Sequence, residues 1–187
     1  GATNGDWQKK IYSQVDFLGE KITTSIKNEL TVEVSADFNL TEYINNHGIP
    51  LGDFDTVRLR GWDNSGQNKI ITASVSPDPV HIRPGNGDDH LTGGQVNDVI
   101  LGEGGNDKLY GLAGDDRLVG GSGDDVMKGG IGNDTYVYDY SGADSAKEEE
   151  NGGTKDTLGI DNAGNGFGDL FFVGDTLYLE SRTNPLL

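Results

Sequence analysis

Six aspartates recur at an interval of nine residues: Asp89, Asp98, Asp107, Asp116, Asp125 and Asp134. A carboxylate can act as a hard metal ligand, a general acid or base, or a nucleophile, and its neighbours decide which. Here the neighbours repeat as strictly as the acids. From Pro84 to Val137 the chain divides into six blocks: PGNGDDHLT, GGQVNDVIL, GEGGNDKLY, GLAGDDRLV, GGSGDDVMK and GGIGNDTYV. The aspartates hold the sixth position. The fifth is always Asp or Asn, as at Asn97, Asn106, Asp115, Asp124 and Asn133, and the eighth is Leu91, Ile100, Leu109, Leu118, Met127 and Tyr136. A flexible Gly/Asp linker would not hold a large apolar side chain at one fixed phase through six blocks without insertion or deletion.

The block can be read physically. Glycines at the first, second and fourth positions suit a turn that visits positive φ and packs closely on its neighbours. The last three positions, one apolar residue between two variable ones, suit a very short strand. One block cannot bury its eighth-position side chain alone; two sets of such strands with turns on both edges can. Two blocks then make one coil, and six blocks make three coils spaced by roughly 4.8 Å, a core only about 10–15 Å deep. So thin a core needs another source of stability. Stacking sets Asp89 over Asp107 over Asp125 on one edge and Asp98, Asp116 and Asp134 on the other. Two carboxylates about 5 Å apart repel by roughly 3 kcal/mol at an effective dielectric near 20, so such a stack calls for a cation. Carboxylate and carbonyl oxygens favour calcium over magnesium by their number and flexibility. Zinc and copper would want thiolate or imidazole, and the blocks offer only His90.

The blocks resemble the GGxGxDxUx nonapeptide of the repeats-in-toxin (RTX) family, strongly over 84–137 and more weakly through SGADSAKEEENGGTKDTLGI, where Asp144 and Asp156 look like sixth-position acids of degenerate blocks. The resemblance implies an all-β fold, a right-handed parallel β-roll, with each calcium between two turns on one edge. It implies ligation by the six sixth-position carboxylates and by turn carbonyls. The candidate turn residues are Gly85, Gly87, Gly94, Gly102, Gly104, Gly105, Gly111, Gly114, Gly120, Gly121, Gly123, Gly129, Gly130 and Gly132, with the fifth-position residues named above and Asp144 and Asp156. About four or more calcium ions are expected. The sequence departs from the pattern at Val96, which replaces a fourth-position glycine, at Glu103 and Leu112, which replace second-position glycines, and at Pro84. Sites touching Val96 are the weakest of the set, because a β-branched residue tolerates positive φ badly.

The flanks must position this array. Three regions are expected: a mostly β N-terminal cap over 1–80, the roll over 81–137, and degenerate repeats with a C-terminal cap over 138–187. Trp7, Ile11, Val15, Leu18, Ile22 and Ile26 step by threes and fours and favour one helix, although Ile22, Thr24 and Ile26 also read as strand. Val32, Val34, Ala36, Phe38 and Leu40 alternate as a half-buried strand. The stretches 54–62 and 69–75 suggest a hairpin about Asp63-Asn64-Ser65-Gly66. Tyr136, Tyr138 and Tyr140 are expected to close the roll, LFFVGDTLYL (170–179) reads as a hairpin turning at Gly174-Asp175, and Glu148, Glu149 and Glu150 read as a solvated run.

Composition narrows the function. Against 31 acidic residues stand 14 basic ones, a formal charge of −17, which repels nucleic acid and anionic membranes. With no cysteine, disulfides, thiolate zinc sites and thiol catalysis are excluded. No run reaches the length of a membrane span, so no membrane insertion is expected. The opening Gly1-Ala2 reads as a cloning remnant of a piece from a larger protein. His47, His81 and His90 form no HExxH arrangement and there is no GxSxG elbow, so a non-catalytic module is expected. What the resemblance implies is a monomeric module of a secreted, extracellular or bacterial cell-surface protein (a toxin, an adhesin or a hydrolase). It would pass a type I secretion machinery unfolded and fold on calcium outside the cell. The alternative is a recognition module of an adhesin or polysaccharide-modifying enzyme, binding sugar or peptide through Tyr110, Lys108, Arg117 or Lys128.

Overall fold

In the computed structural model, residues 5–14, 23–34, 36–49, 52, 54–61, 66–138, 142–147, 156–160, 169–173 and 176–180 are described. Their short apolar-centred segments form two eight-stranded sheets, with strands numbered in chain order. Sheet one holds β1 (Gly5–Gln14), β2 (Thr23–Val34), β4 (Thr56–Gly61), β6 (Val80–Arg83), β8 (Val99–Gly104), β10 (Arg117–Ser122), β12 (Thr135–Tyr138) and β14 (Thr157–Ile160), in that order. Sheet two runs from β3 (Phe38–Asn39) through β5 (Ile70–Thr72), β7 (His90–Thr92), β9 (Lys108–Ala113), β11 (Val126–Ile131) and β13 (Ala143–Lys147) to β16 (Thr176–Glu180) and β15 (Asp169–Val173). From β2 to β14 the chain alternates between the sheets, and each strand pairs in parallel with the strand two along. The fold is therefore a parallel β-solenoid of about five turns.

The register places like residues over like. Leu118 pairs with Ile100 and with Tyr136, while Leu109 pairs with Leu91 and with Met127. All six eighth-position side chains are buried, none more than 4% exposed, and all belong to one core cluster. Fully burying each is worth roughly 1.5–3 kcal/mol. The same core continues backward through Leu30, Val32, Val34, Val57, Leu59, Val80 and Ile82, so it is deeper than three coils. The single helix among the described residues, the short α1 (Leu40–His47), adds Leu40, Tyr43 and Ile44 to it. Its N-cap Asn39 accepts the Glu42 amide at 3.2 Å, and Gly48 ends it at φ 63°.

Each sheet is covered by antiparallel strands at one end: β1 pairs with β2 in sheet one, and the β15–β16 hairpin lies against β13 in sheet two, while the parallel strands β14 and β3 form the other ends. The expected 170–179 hairpin is present, with its turn residues outside the described set. Two other expectations are corrected. The segment read as a helix carries Trp7 and Ile11 in β1 and Ile26 in β2, with Val15, Leu18 and Ile22 outside the described residues. The β-branched content of Thr23, Thr24 and Ile26, together with Gly19, outweighs the helical spacing. The expected hairpin of 54–75 is absent, because β4 and β5 lie in different sheets and each finds parallel partners in neighbouring coils. The alternating stretch 32–40 divides at the bend before β3, although Val32, Val34, Phe38 and Leu40 are all buried. Tyr136 and Tyr138 are buried as expected, and Tyr140 and Glu148–Glu150 lie outside the described residues.

Because the repeat strands bury a single apolar row, one deletion there is costly. Leu109→Ala is expected to lower the stability of the folded protein by about 2–5 kcal/mol, read from its urea midpoint. Lys108→Ala, one residue away on the outward side, should change it by no more than about 0.5 kcal/mol.

Candidate metal centre

The turns between strands carry the aspartates, and strand register stacks them. On the first edge, the amide of Asp89 donates to Oδ1 of Asp107 at 2.7 Å, that of Asp107 to Asp125 at 2.8 Å, and that of Asp125 to Asp144 at 3.0 Å. On the second, the amide of Asp98 donates to Asp116 and that of Asp116 to Asp134, both at 2.8 Å, and that of Asp134 to Asp156 at 2.9 Å. The expected stacks are thus two ladders in which one carboxylate oxygen holds the amide of the preceding turn. Asp144 and Asp156, from the degenerate blocks, join them at the far end.

The second oxygen is a different matter. Oδ2 of Asp89, Asp107, Asp116 and Asp134 is buried without a hydrogen-bond partner. A buried carboxylate oxygen left this way carries a large desolvation cost. Its surroundings are shaped by the first-position glycines. A Cβ on Gly102 would lie 2.3 Å from Oδ2 of Asp107 and 2.3 Å from the carbonyl oxygen of Gly120 in the next turn. A Cβ on Gly111 would likewise lie 2.1 Å from Oδ2 of Asp116 and 2.6 Å from the Gly129 carbonyl oxygen. A bare Cα is what lets carboxylate and carbonyl oxygens of successive turns come together. Among the described residues no three acidic or imidazole side chains converge on one point. Any ion held here would therefore take main-chain carbonyls as much as carboxylates, a donor set of hard oxygens that fits calcium.

Not every candidate plays the same part. The fifth-position residues form an outer ladder of their own. The Asp88 amide donates to Asn68 Oδ1, Asn106 to Asp88, and Asp124 to Asn106, at 2.8–2.9 Å; on the other edge Asp115 donates to Asn97 and Asn133 to Asp115. Asp and Asn alternate along both, so no two carboxylates are adjacent and the ladder holds without a cation. Gly104 takes part through its carbonyl, which accepts the Gly87 amide at 2.7 Å. At the second position Glu103 and Leu112 keep φ of 72° and 87°, the conformation of Gly121 (99°) and Gly130 (107°) stacked on them. The turn containing Val96 differs: among its residues neither Gly94 nor Val96 has positive φ, and the Gly94 amide donates to Asp98 Oδ2 at 2.5 Å. Asp98 thus has both oxygens engaged, unlike its ladder neighbours. Sequence reading passed over Asn68 and Lys69, whose place in the ladders is hidden by a two-residue offset from the ninefold interval.

Electrostatics agrees with the geometry. Burial first, then the charges of neighbouring rungs, push the Asp107 carboxyl up to about 7 and that of Asp116 to about 8; burial raises Asp89 and Asp98 to about 6 and Asp134 as well. A carboxyl whose pKa is raised by folding holds its proton more tightly folded than unfolded. The metal-free fold is therefore favoured at low pH and loses that advantage as pH climbs from about 4 through these raised values. With calcium chelated, circular dichroism is expected to show growing β signal as pH falls from 8 to 5. With calcium supplied, the folding midpoint should move to higher calcium as pH falls from 8 to 6, because protons occupy the same oxygens.

Among known proteins, the family model described as the RTX calcium-binding nonapeptide repeat, four copies, matches residues 84–118 and 110–139. No curated protein and no solved structure gives a significant match. Ninefold repeats, ladders of buried aspartates and a parallel solenoid thus converge, and the chain carries a calcium-binding β-roll module of the RTX nonapeptide-repeat family over residues 84–139.

Proposed function

We propose that the repeats of this module are a calcium-driven folding switch of a secreted protein, open while calcium is scarce and closed into the roll outside the cell. The observation that carries this reading is the row of buried Oδ2 atoms with no hydrogen-bond partner. Closing the roll without a cation means burying several like charges about 5 Å apart, at roughly 3 kcal/mol per adjacent pair. Calcium supplies positive charge and oxygen coordination to those atoms when bound. The chain's part is to present Asp107 Oδ2 beside the Gly120 carbonyl, and Asp116 Oδ2 beside the Gly129 carbonyl, only once neighbouring turns have stacked. No such site exists in the unfolded chain, so binding free energy becomes folding free energy. An open, strongly acidic chain in the cell and millimolar calcium outside it suit passage through a type I secretion machinery. About four sites, from sixth-position carboxylates and turn carbonyls, account for the stacked complete turns.

Far-UV circular dichroism through a calcium titration tests this. A cooperative gain of β signal with a midpoint near ~10⁻⁴–10⁻³ M is expected, with no comparable gain in magnesium. Repeats fully folded in chelator would end the switch reading.

A second reading, recognition of an acidic polysaccharide, is favoured by one surface observation. On the outward side of sheet two, the rings of His90 and Tyr110 stack with centroids 5.0 Å apart, and Lys128 Nζ lies 5.6 Å from the Tyr110 centroid. Lys108 lies beside them, and neither lysine pairs with an acid among the described residues. On sheet one, by contrast, Arg58 pairs with Glu29 and Arg83 with Glu103. The outward residues of β5, β7, β9 and β11 include no acid. A ring face with flanking ammonium groups suits sugar rings that carry carboxylate or sulfate. Dextran sulfate is expected to bind the calcium-saturated protein, neutral dextran not to, and the triple variant Lys108→Gln, Tyr110→Ala, Lys128→Gln to bind at least tenfold more weakly by calorimetry. Equal binding of polyglutamate would reassign the face to peptides, and unchanged binding by the variant would end the reading.

A further inference from the structure

Both carboxylate ladders have a first rung, and neither is preceded by a carboxylate. The pairing of Ile70 with His90 and Ile71 with Leu91 puts Lys69 at the sixth position of the coil before Asp89. The pairing of His81 with Val99 puts Val80 at the sixth position before Asp98. Lys69 is 1% exposed, an unusual state for a lysine unless its charge is engaged. Its amide donates to Asp89 Oδ1 at 2.5 Å, and its Nζ donates to the Gln67 carbonyl at 3.2 Å. That carbonyl belongs to the turn stacked on Gly87, where an added Cβ would meet it at 2.5 Å. A buried positive charge bound to a turn carbonyl, acting on Asp89, stands at the place in the stack where later rungs present carboxylates.

The other ladder opens differently to the same effect. Asp98 accepts the Val80 amide on Oδ1 at 2.7 Å and the Gly94 amide on Oδ2 at 2.5 Å, so its charge is met by two backbone donors. Earlier acids follow suit: Asp78 accepts the amides of Gly52 and Phe54, at 2.8 and 3.2 Å, and Asp37 accepts that of Ile70 at 2.8 Å. The cores differ as well. β2 buries Leu30, Val32 and Val34, and β4 and β6 bury two apolar side chains each, whereas β8, β9, β10 and β11 each bury only one large apolar side chain.

We propose that Lys69 and the Gly94 amide close the N-terminal ends of the two ladders without metal, so that the coils from Leu30 to Arg83 fold in the absence of calcium and template the first calcium-binding coil. Assembly of the roll then runs from this end toward the C-terminus. The proposal rests on the calcium-dependent reading of the repeats, and hydrogen exchange of the whole chain separates the two. In chelator, amides within 30–34, 57–61 and 80–83 are expected to be protected at least a hundredfold more than those within 99–131, and calcium should bring the latter up. If both regions exchange at the unfolded rate without calcium, the metal-free template is overturned while the switch stands. If both are protected without calcium, the switch itself is overturned, and the template with it. Lys69→Asp, which adds a carboxylate rung, should lower metal-free protection of 70–73 and 80–83 at least tenfold and recover it with calcium. Metal-free protection unchanged in this variant would remove Lys69 from the mechanism.

Discussion

Everything in the repeat half of this fold depends on how a buried aspartate divides its two oxygens. One oxygen is spent inside the chain: Oδ1 accepts the amide of the turn before it and ties consecutive coils together. The other faces a glycine Cα and a main-chain carbonyl, in a place from which water is excluded. The first bond could be made by asparagine equally well. The second oxygen is the reason for aspartate, since only its charge makes the carbonyl-lined gap into a cation site. The fifth position illustrates the contrast, for there Asn and Asp alternate and both make the same amide bond.

The solenoid therefore contains two kinds of coil built on one backbone plan. Coils before Arg83 are held by apolar side chains and by carboxylates, Asp78 and Asp37, whose oxygens accept backbone amides. Coils after it have one apolar row and rely on ladders of desolvated charge. The first kind is ordinary folding with a hydrophobic driving force. The second closes over buried carboxylate oxygens without hydrogen-bond partners, the feature on which the proposed calcium switch rests. In tandem, the first kind would offer the second a surface of the correct register to grow on, and in sheet two the antiparallel β16 ends the parallel stack.

Much of the second kind was legible in the sequence. The ninefold interval supplied the two edges, the inward row from Leu91 to Tyr136, and the stacking of Asp89, Asp107 and Asp125, because each rests on a single periodic rule. The anomaly at Val96 was visible as a missing glycine; the response, a Gly94 amide turned onto Asp98, was not. The first kind of coil was hidden. Residues 54–75 show strand-like stretches around a turn, and local pattern alone cannot distinguish a hairpin from one coil of a solenoid. Lys69 carried no signal, since a lone lysine between Asn68 and Ile70 reads as solvent-facing until register places it under Asp89.

Coil length explains why periodicity is strict in one part and lax in the other. Along sheet one, Leu30 pairs with Val57, Val57 with Val80, His81 with Val99, Val99 with Arg117 and Arg117 with Thr135, steps of 27, 23, 18, 18 and 18 residues. Along sheet two, Phe38 pairs with Ile71, Leu91 follows 20 residues later, and the next two steps are 18. A coil closed by apolar packing needs only its strands in register, and its turns can bulge outward at small entropic cost, roughly 0.6 kcal/mol for each doubling of loop length. A coil closed through a cation needs carboxylate and carbonyl oxygens from two turns within a few tenths of an ångström of ideal distance. A loop insertion there would move the carbonyls while leaving the strands paired. The step relaxes again to 22 and 19 residues at Thr157 and Ser145, where the ladders reach their last rungs at Asp156 and Asp144. The ninefold rule thus fits a requirement of coordination between turns. It holds from Asp89 to Asp134, and each ladder runs one rung beyond it, to Asp144 and to Asp156, where only the amide bond to the preceding turn carries it on.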